Sequence, residues 1–173
     1  MRQHGTTLVE LVVVMSIAAI LLAIVVPGYA YFSTINRLAA LTNGLTGALQ
    51  TARSEAVRRA LRVSVCKSNT AMSTTPACDA GAKWSDGWVV FVDGGTRGVL
   101  DGSDEVLRVG DAQSTALTVS TTNFSTYLSY LPTGQSQGPS GLGNGTISLC
   151  LAGESRSLII NNTGRIRLSQ GEC

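Results

Sequence analysis

The chain has 173 residues, 44% apolar, 14% charged and 5% aromatic, with 13 basic and 11 acidic side chains for a formal charge of +2. That length holds one modest domain and an appended element, not a multidomain enzyme. A charge so near zero argues against a nucleic-acid protein built on bulk basicity, and the aliphatic residues recurring throughout argue against disorder.

In chain order, the first feature is apolar. Leu8 to Val26 holds 17 apolar residues and two polar ones, Glu10 and Ser16. As a helix it would span roughly 28 Å, enough for the hydrocarbon core of a bilayer. No second run of this kind follows, so the reading is a single-pass chain. Arg2 and His4 precede the run and give a thin positive-inside signal that keeps the N-terminus cytoplasmic. A secretory signal would have a shorter apolar region and a small-residue cleavage site behind it, and Pro27-Gly28-Tyr29-Ala30 is a weak one.

Glu10 is the odd residue. A carboxylate in such a segment costs about 3 kcal/mol on insertion scales and calls for a partner. Cleavage after Gly5 would give Thr6 a new α-amine four residues from Glu10, and a neighbouring copy could offer that amine. The plainer reading leaves Glu10 at the headgroup boundary.

Gly5-Thr6-Thr7-Leu8-Val9-Glu10-Leu11, the apolar run and Pro27 together resemble the N-terminus of type IV pilins and type II secretion pseudopilins. The resemblance implies that a prepilin peptidase cuts after Gly5 and methylates Thr6, and that Glu10 pairs with a neighbour's amine during filament assembly. Thr6 departs from the usual Phe at the new terminus. It further implies an α+β type IV pilin fold, in which a long N-terminal helix, half transmembrane and half amphipathic, packs on an antiparallel two-sheet β head. The expected organisation is a leader over 1–5, a transmembrane helix over 6–26, its amphipathic continuation over 27–62 and the head with its tail over 63–173. The expected setting is the inner membrane of a Gram-negative bacterium with a periplasmic head, then a pilus on the cell surface. Other pilins or pseudopilins and the peptidase are the implied partners.

After Pro27, Leu38, Leu41, Leu45, Leu49, Ala52, Ala56 and Ala60 recur at three- and four-residue steps, a helical stripe. Pro27 would kink the helix without ending it. Gly44 and Gly47 would loosen it locally, by up to about 1 kcal/mol each. Glu55 stands four residues before Arg59 in the favoured ion-pair order, and Arg58, Arg59 and Arg62 crowd the last turn, where cations suit the helix dipole.

From Val63 the period becomes two. The expected strands are 63–66, 88–92, 105–109, 116–120, 127–131, 146–151, 156–160 and 165–168, separated by Gly, Asp, Asn and Pro. Trp88 and Val90 alternate with Val89 and Phe91, so that strand is apolar on both faces and reads as central. Thr133 to Gly145 (TGQSQGPSGLGNG) reads as a flexible loop whose glycines do not form a phosphate cradle. Leu49 to Ala56 (LQTARSEA), Trp84 to Asp93 (WSDGWVVFVD) and Gly164-Arg165-Ile166-Arg167 resemble the GspH/FimT branch of the pilin family.

The four cysteines, Cys66, Cys78, Cys150 and Cys173, would be oxidised in an exported head. Of three pairings, proximity favours Cys66–Cys78 and Cys150–Cys173, whose loops of about 12 and 23 residues correspond to roughly 2.8 and 3.4 kcal/mol of chain entropy. Zinc is a weak rival: no CxxC pair exists, and the single histidine is His4. Asp93 to Asp104 (DGGTRGVLDGSD) has calcium-loop features at its first, sixth and twelfth places, but Gly95 and Arg97 stand at the third and fifth, so a solvated hairpin loop is expected. No metal, cofactor or catalytic residue is assigned. Beyond the leader there is no histidine to serve as a base for the abundant Ser and Thr.

The tail is the candidate binding element. In an extended segment Arg165 and Arg167 point one way, their stems about 6.8 Å apart, while Ile166 and Leu168 point the other. A Cys150–Cys173 bridge would pin it. The GspH/FimT resemblance implies that Gly164, Arg165 and Arg167 form a Gly-Arg-x-Arg tail for sequence-independent binding of double-stranded DNA during uptake. The alternatives for the tail are two solvent-facing arginines or a contact with the next pilin; for the protein the resemblance implies a minor pilin of a type IV pilus at or near the filament tip, with the H-type minor pseudopilin of a type II secretion system as the alternative.

Overall fold

The computed structural model describes residues 7–102, 104–111 and 116–173. Its elements are one helix and nine strands among the described residues: α1 (Leu8–Arg59), β1 (Val63–Lys67), β2 (Trp88–Val92), β3 (Val106–Gly110), β4 (Thr118–Thr122), β5 (Tyr127–Tyr130), β6 (Ser136–Gln137), β7 (Gly145–Leu151), β8 (Glu154–Ile160) and β9 (Ile166–Glu172). By contacts the chain divides after Arg37 into two compact units.

The first unit carries the apolar half of α1. Leu8–Val25 has a mean hydropathy of 2.9 and is unburied within the chain. Thr7 caps the helix: its carbonyl accepts from Leu11 N (3.2 Å) and its Oγ1 from Glu10 N (3.2 Å). Ser16, the other polar side chain, donates Oγ to the Val12 carbonyl at 2.8 Å, satisfying its hydroxyl inside the helix. The helix assignment runs unbroken through position 27 and through Gly44 and Gly47, so neither glycine interrupts it. It stops at Arg59, three residues short of the expected 62, because Ala60 takes a left-handed conformation (φ 54°).

In the second unit, Leu38 to Cys173, the helical stripe is buried largely as its spacing predicts. Leu38, Leu45, Leu49, Ala52 and Ala56 are buried, with Ala48 added and Leu41 partly buried against them, while Ala60 is exposed beyond the helix end. Thr42, fully buried, donates Oγ1 to the Leu38 carbonyl at 2.7 Å. Two antiparallel sheets contribute to the same core. Sheet one has the order β3-β2-β1-β5-β6 and sheet two β4-β7-β8-β9. Val63, Val65, Val90, Leu128 and Tyr130 of the first meet Ile147, Leu149, Leu158 and Ile160 of the second in one cluster with the helix. Truncating a fully buried member such as Leu49 to Ala would cost about 2–5 kcal/mol.

β2 lies between β1 and β3, and both its faces are buried. Trp88 and Val90 enter the main core. Val89 and Phe91 enter a second cluster with Cys66 and Ala71, against which Cys78, Leu100, Val109 and Tyr127 pack. The loops around sheet one thus cover the face that an antiparallel sheet often leaves wet.

Strand bounds differ from expectation by a few residues, with two larger departures. The 133–145 segment is not a free loop: Ser136–Gln137 pairs with Tyr130 and Ser129 of β5, and Ser136 is buried. The last strand begins at Ile166, not Arg165, and runs to Glu172. Cys66 bonds Cys78 and Cys150 bonds Cys173, the two pairings that proximity favours.

Candidate functional site

The tail hairpin is built from its turn upward. Asn161 Oδ1 accepts from Arg165 N (2.9 Å) and from the Thr163 hydroxyl (2.8 Å). The Asn161 carbonyl accepts from Gly164 N at 2.8 Å, and Asn161 N donates to the Arg165 carbonyl at 3.2 Å. Gly164 is buried with φ 75°, and a Cβ there would lie 2.2 Å from the Gly134 carbonyl oxygen. Only glycine fits this conformation and this approach.

Two side chains tie the turn to the body. Arg53 on α1 donates Nε to the Gly134 carbonyl (3.1 Å) and Nη2 to the Thr163 carbonyl (2.8 Å). Ser136 Oγ reaches the carbonyls of Asn161 (2.8 Å) and Gly143 (2.5 Å). Arg165 and Arg167 are exposed, and neither guanidinium has a hydrogen bond or ion pair among the described residues. Arg167 pairs with Ile159 on β8 and lies on the sheet face opposite Ile166 and Leu168. Arg165 belongs to the turn, so the two do not share one strand as alternation suggested.

The helix-end arginines are engaged. Arg58 (2.5 Å) and Arg59 (2.6 Å) both bind Glu55, and Arg59 reaches Glu105 at 2.5 Å. Hydrogen bonds from Arg58 and then Arg59 hold the Glu55 carboxyl below its ordinary range, and a hydrogen bond from Arg59 does the same for Glu105. Those two acids in turn raise Arg59, Glu105 more than Glu55.

The 93–104 loop is held by its own backbone. Asp93 is buried and accepts from Arg62 (2.6 Å), from the Ser64 hydroxyl and from Gly98 N (2.7 Å). Asp104 accepts from Gly94 N and Asp101 N, and Asp101 from Thr96 N. The carboxylates of Asp93, Asp101 and Asp104 are thus taken up by loop amides and, at Asp93, by Arg62 and Ser64 as well.

Gly5 and Thr6, the expected cleavage and methylation positions, lie outside the described residues. Glu10 stands in the first turn of α1, and position 27 is within it. Arg53 and Ser136 carry no sequence signal that ties them to the tail, whereas Asn161 stands among its polar neighbours. Asn161-Asn162-Thr163-Gly164 was a visible turn signal, whereas the reach of Arg53 across 81 and 110 residues leaves no local trace.

The prokaryotic N-terminal methylation motif matches residues 1–26, and the family described as type II transport protein GspH matches residues 41–164. Among curated proteins none matches at a significant level. Solved structures share the fold. The type IV minor pilin FimU of Pseudomonas aeruginosa (strain PAO1) is 23% identical, with a TM-score of 0.56 over 80% of this chain and 92% of that one. The minor pseudopilin EpsH from the type 2 secretion system of Vibrio cholerae is 12% identical, with a TM-score of 0.52 over 77% of this chain and 96% of that one. With its methylation motif, apolar N-terminal helix and two-sheet head, the chain belongs to the GspH family, a family of structural, non-enzymatic pilins and pseudopilins.

Proposed function

We propose that the protein is a minor pilin of a type IV pilus, incorporated at or near the filament tip, whose tail hairpin holds DNA through Arg165 and Arg167. One contrast carries this reading. Arg53, Arg58, Arg59 and Arg62 are engaged with carbonyls and carboxylates, while Arg165 on the clamped turn and Arg167 on the strand that follows it are exposed and have no hydrogen bond or ion pair among the described residues. A preordered turn loses little entropy on binding. Gly164 permits the turn, and Arg165 and Arg167 meet phosphates without reading sequence.

Assembly precedes binding in this scheme. The prepilin peptidase cuts after Gly5 and methylates Thr6, the apolar helix anchors the chain in the inner membrane of a Gram-negative cell, and the periplasmic head passes into a surface pilus. Glu10 pairs with a neighbour's Thr6 amine, and the helix turn at Pro27 adapts to packing in the filament.

The test is a salt titration of DNA binding by the full chain in detergent. If each tail arginine neutralises one phosphate, their share of the slope of log affinity against log salt is about −1.8. Arg165→Gln with Arg167→Gln should remove that share, while Arg58→Gln with Arg59→Gln should leave it. Unchanged binding in the tail variant removes the DNA claim.

The family's description as a type II transport protein supports a second reading, an H-type minor pseudopilin. Deleting the gene separates the two: lost protein secretion supports the pseudopilin, lost pili the pilin.

A further inference from the structure

Beside the tail turn lies an open cleft of about 300 Å³ between the 131–144 segment and Asn162. Four carboxamides line it, Gln135, Gln137, Asn144 and Asn162, with Leu131 and Leu142 as its large apolar side chains; no lining residue is ionisable. The Asn144 and Asn162 side chains have no hydrogen-bond partner among the described residues, and both residues are exposed. Leu142 is 51% exposed.

The cleft is preformed. Ser136 Oγ joins its two walls through the carbonyls of Gly143 and Asn161. A Cβ on Gly143 would fall 2.3 Å from the Ser136 carbonyl oxygen, so the 131–144 segment closes on itself this tightly only at glycine. Asn162 lies within the same Asn161–Arg165 turn that carries the first tail guanidinium.

A neutral cleft offering both donors and acceptors beside an apolar surface does not suit a phosphate or a carboxylate. It suits a flat heterocycle whose edge alternates donors and acceptors, as the edge of a nucleobase does. Resting on the DNA reading of the tail, we infer that this cleft receives one unpaired base of a strand whose phosphates lie at Arg165 and Arg167. A paired base has its Watson–Crick edge occupied and is held in the stack, so it cannot enter the cleft, and single-stranded ends should be preferred to blunt duplex.

The experiment compares two probes on the full chain in detergent: a short blunt duplex, and the same duplex with a single-stranded extension. The extended probe should bind roughly tenfold tighter, the scale of one good bidentate contact to a base edge. Asn144→Ala with Asn162→Ala should abolish that advantage, leaving blunt-duplex affinity and melting temperature at wild-type values. Arg165→Gln with Arg167→Gln should weaken both probes alike. Blunt-duplex binding that depends on the arginines, with no advantage for the extension, overturns the cleft and leaves the tail reading standing. An advantage that survives in the Asn144/Asn162 variant also overturns it. No binding of either probe overturns both readings.

Discussion

Arg53 of the helix donates Nη2 to the carbonyl oxygen of Thr163 at 2.8 Å, across 110 residues of sequence. With its Nε on the Gly134 carbonyl, one planar group fixes the tail turn and the turn after β5 to the same helix face. Lysine carries the charge but not the fork. Arg53→Lys should therefore destabilise the protein nearly as much as Arg53→Ala, by about 1–2 kcal/mol, the scale of charged hydrogen bonds that are partly exposed. Thermal melting with the disulfides intact measures this, and full rescue by lysine would mean that charge, not geometry, is what matters.

Tyr130 is fully buried, and its hydroxyl has no hydrogen-bond partner among the described residues. Burial pushes its ionisation upward. Tyr130→Phe removes a desolvated polar group and keeps the ring, so stability should stay level or rise by up to about 1 kcal/mol. A loss larger than about 1 kcal/mol in denaturant unfolding would reveal a bond to that hydroxyl.

The β7–β8 hairpin turns through Ala152 and Gly153, with φ of 51° and 88°. Two positive values in a two-residue loop describe the turn type that prefers Asn-Gly, and alanine is strained in its first place. Ala152→Asn should stabilise by about 0.5–1 kcal/mol, a rise of roughly 1–4 °C in melting temperature. A fall would show that the side chain at 152 is held by something other than turn geometry.

Much of this architecture was legible locally. Alternation located β2 and its two apolar faces because Trp88, Val89, Val90 and Phe91 are all buried. The leucine stripe gave the helix face, since Leu38, Leu45 and Leu49 repeat at the helical period. β6 was hidden because Ser136 and Gln137 have no strand propensity. Pairing with Tyr130 and Ser129 and the hydroxyl's two carbonyl contacts place them there, and those are tertiary effects. The roles of Asp93 and Arg53 were hidden for the same reason. An acid in a Gly-rich loop reads as solvated until Arg62, Ser64 and Gly98 are seen around it. The tail motif was visible, but not that its first arginine belongs to the turn and its second to the strand.

Glu55 and Glu105 carry a pH dependence of definite sign. Arg58 and Arg59 hold Glu55 below its ordinary value of 4.5, and Arg59 does the same to Glu105. A depressed folded-state value means stabilisation that is present above about 4.5 and lost as pH falls through the lowered values. The melting temperature should therefore be level above that range and decline below it. The decline should be shallower in Glu55→Gln with Glu105→Gln. Glu105 is 58% exposed on its side chain, so salt should weaken the effect. An acid limb of equal steepness in the variant would place the titrating groups elsewhere.

Glu10 has a local role that competes with its proposed role in assembly. Thr7 accepts the Glu10 amide proton at 3.2 Å, and Thr7-Leu8-Val9-Glu10 has the spacing of a capping box. An acid in the first turn also suits the helix dipole, by about 0.3–1 kcal/mol. Three variants separate the roles. Thr7→Val removes the cap and keeps the carboxylate. Glu10→Gln keeps a polar group able to cap but removes the charge, and Glu10→Val removes both. If the carboxylate pairs with a neighbour's amine, both Glu10 variants should insert in the membrane yet be missing from sheared filaments, while Thr7→Val assembles. If capping is what matters, Thr7→Val and Glu10→Val should fail together and Glu10→Gln should assemble. Immunoblots of sheared filaments against the membrane fraction read the outcome, and assembly of Glu10→Gln at wild-type level would sink the charge-pairing role.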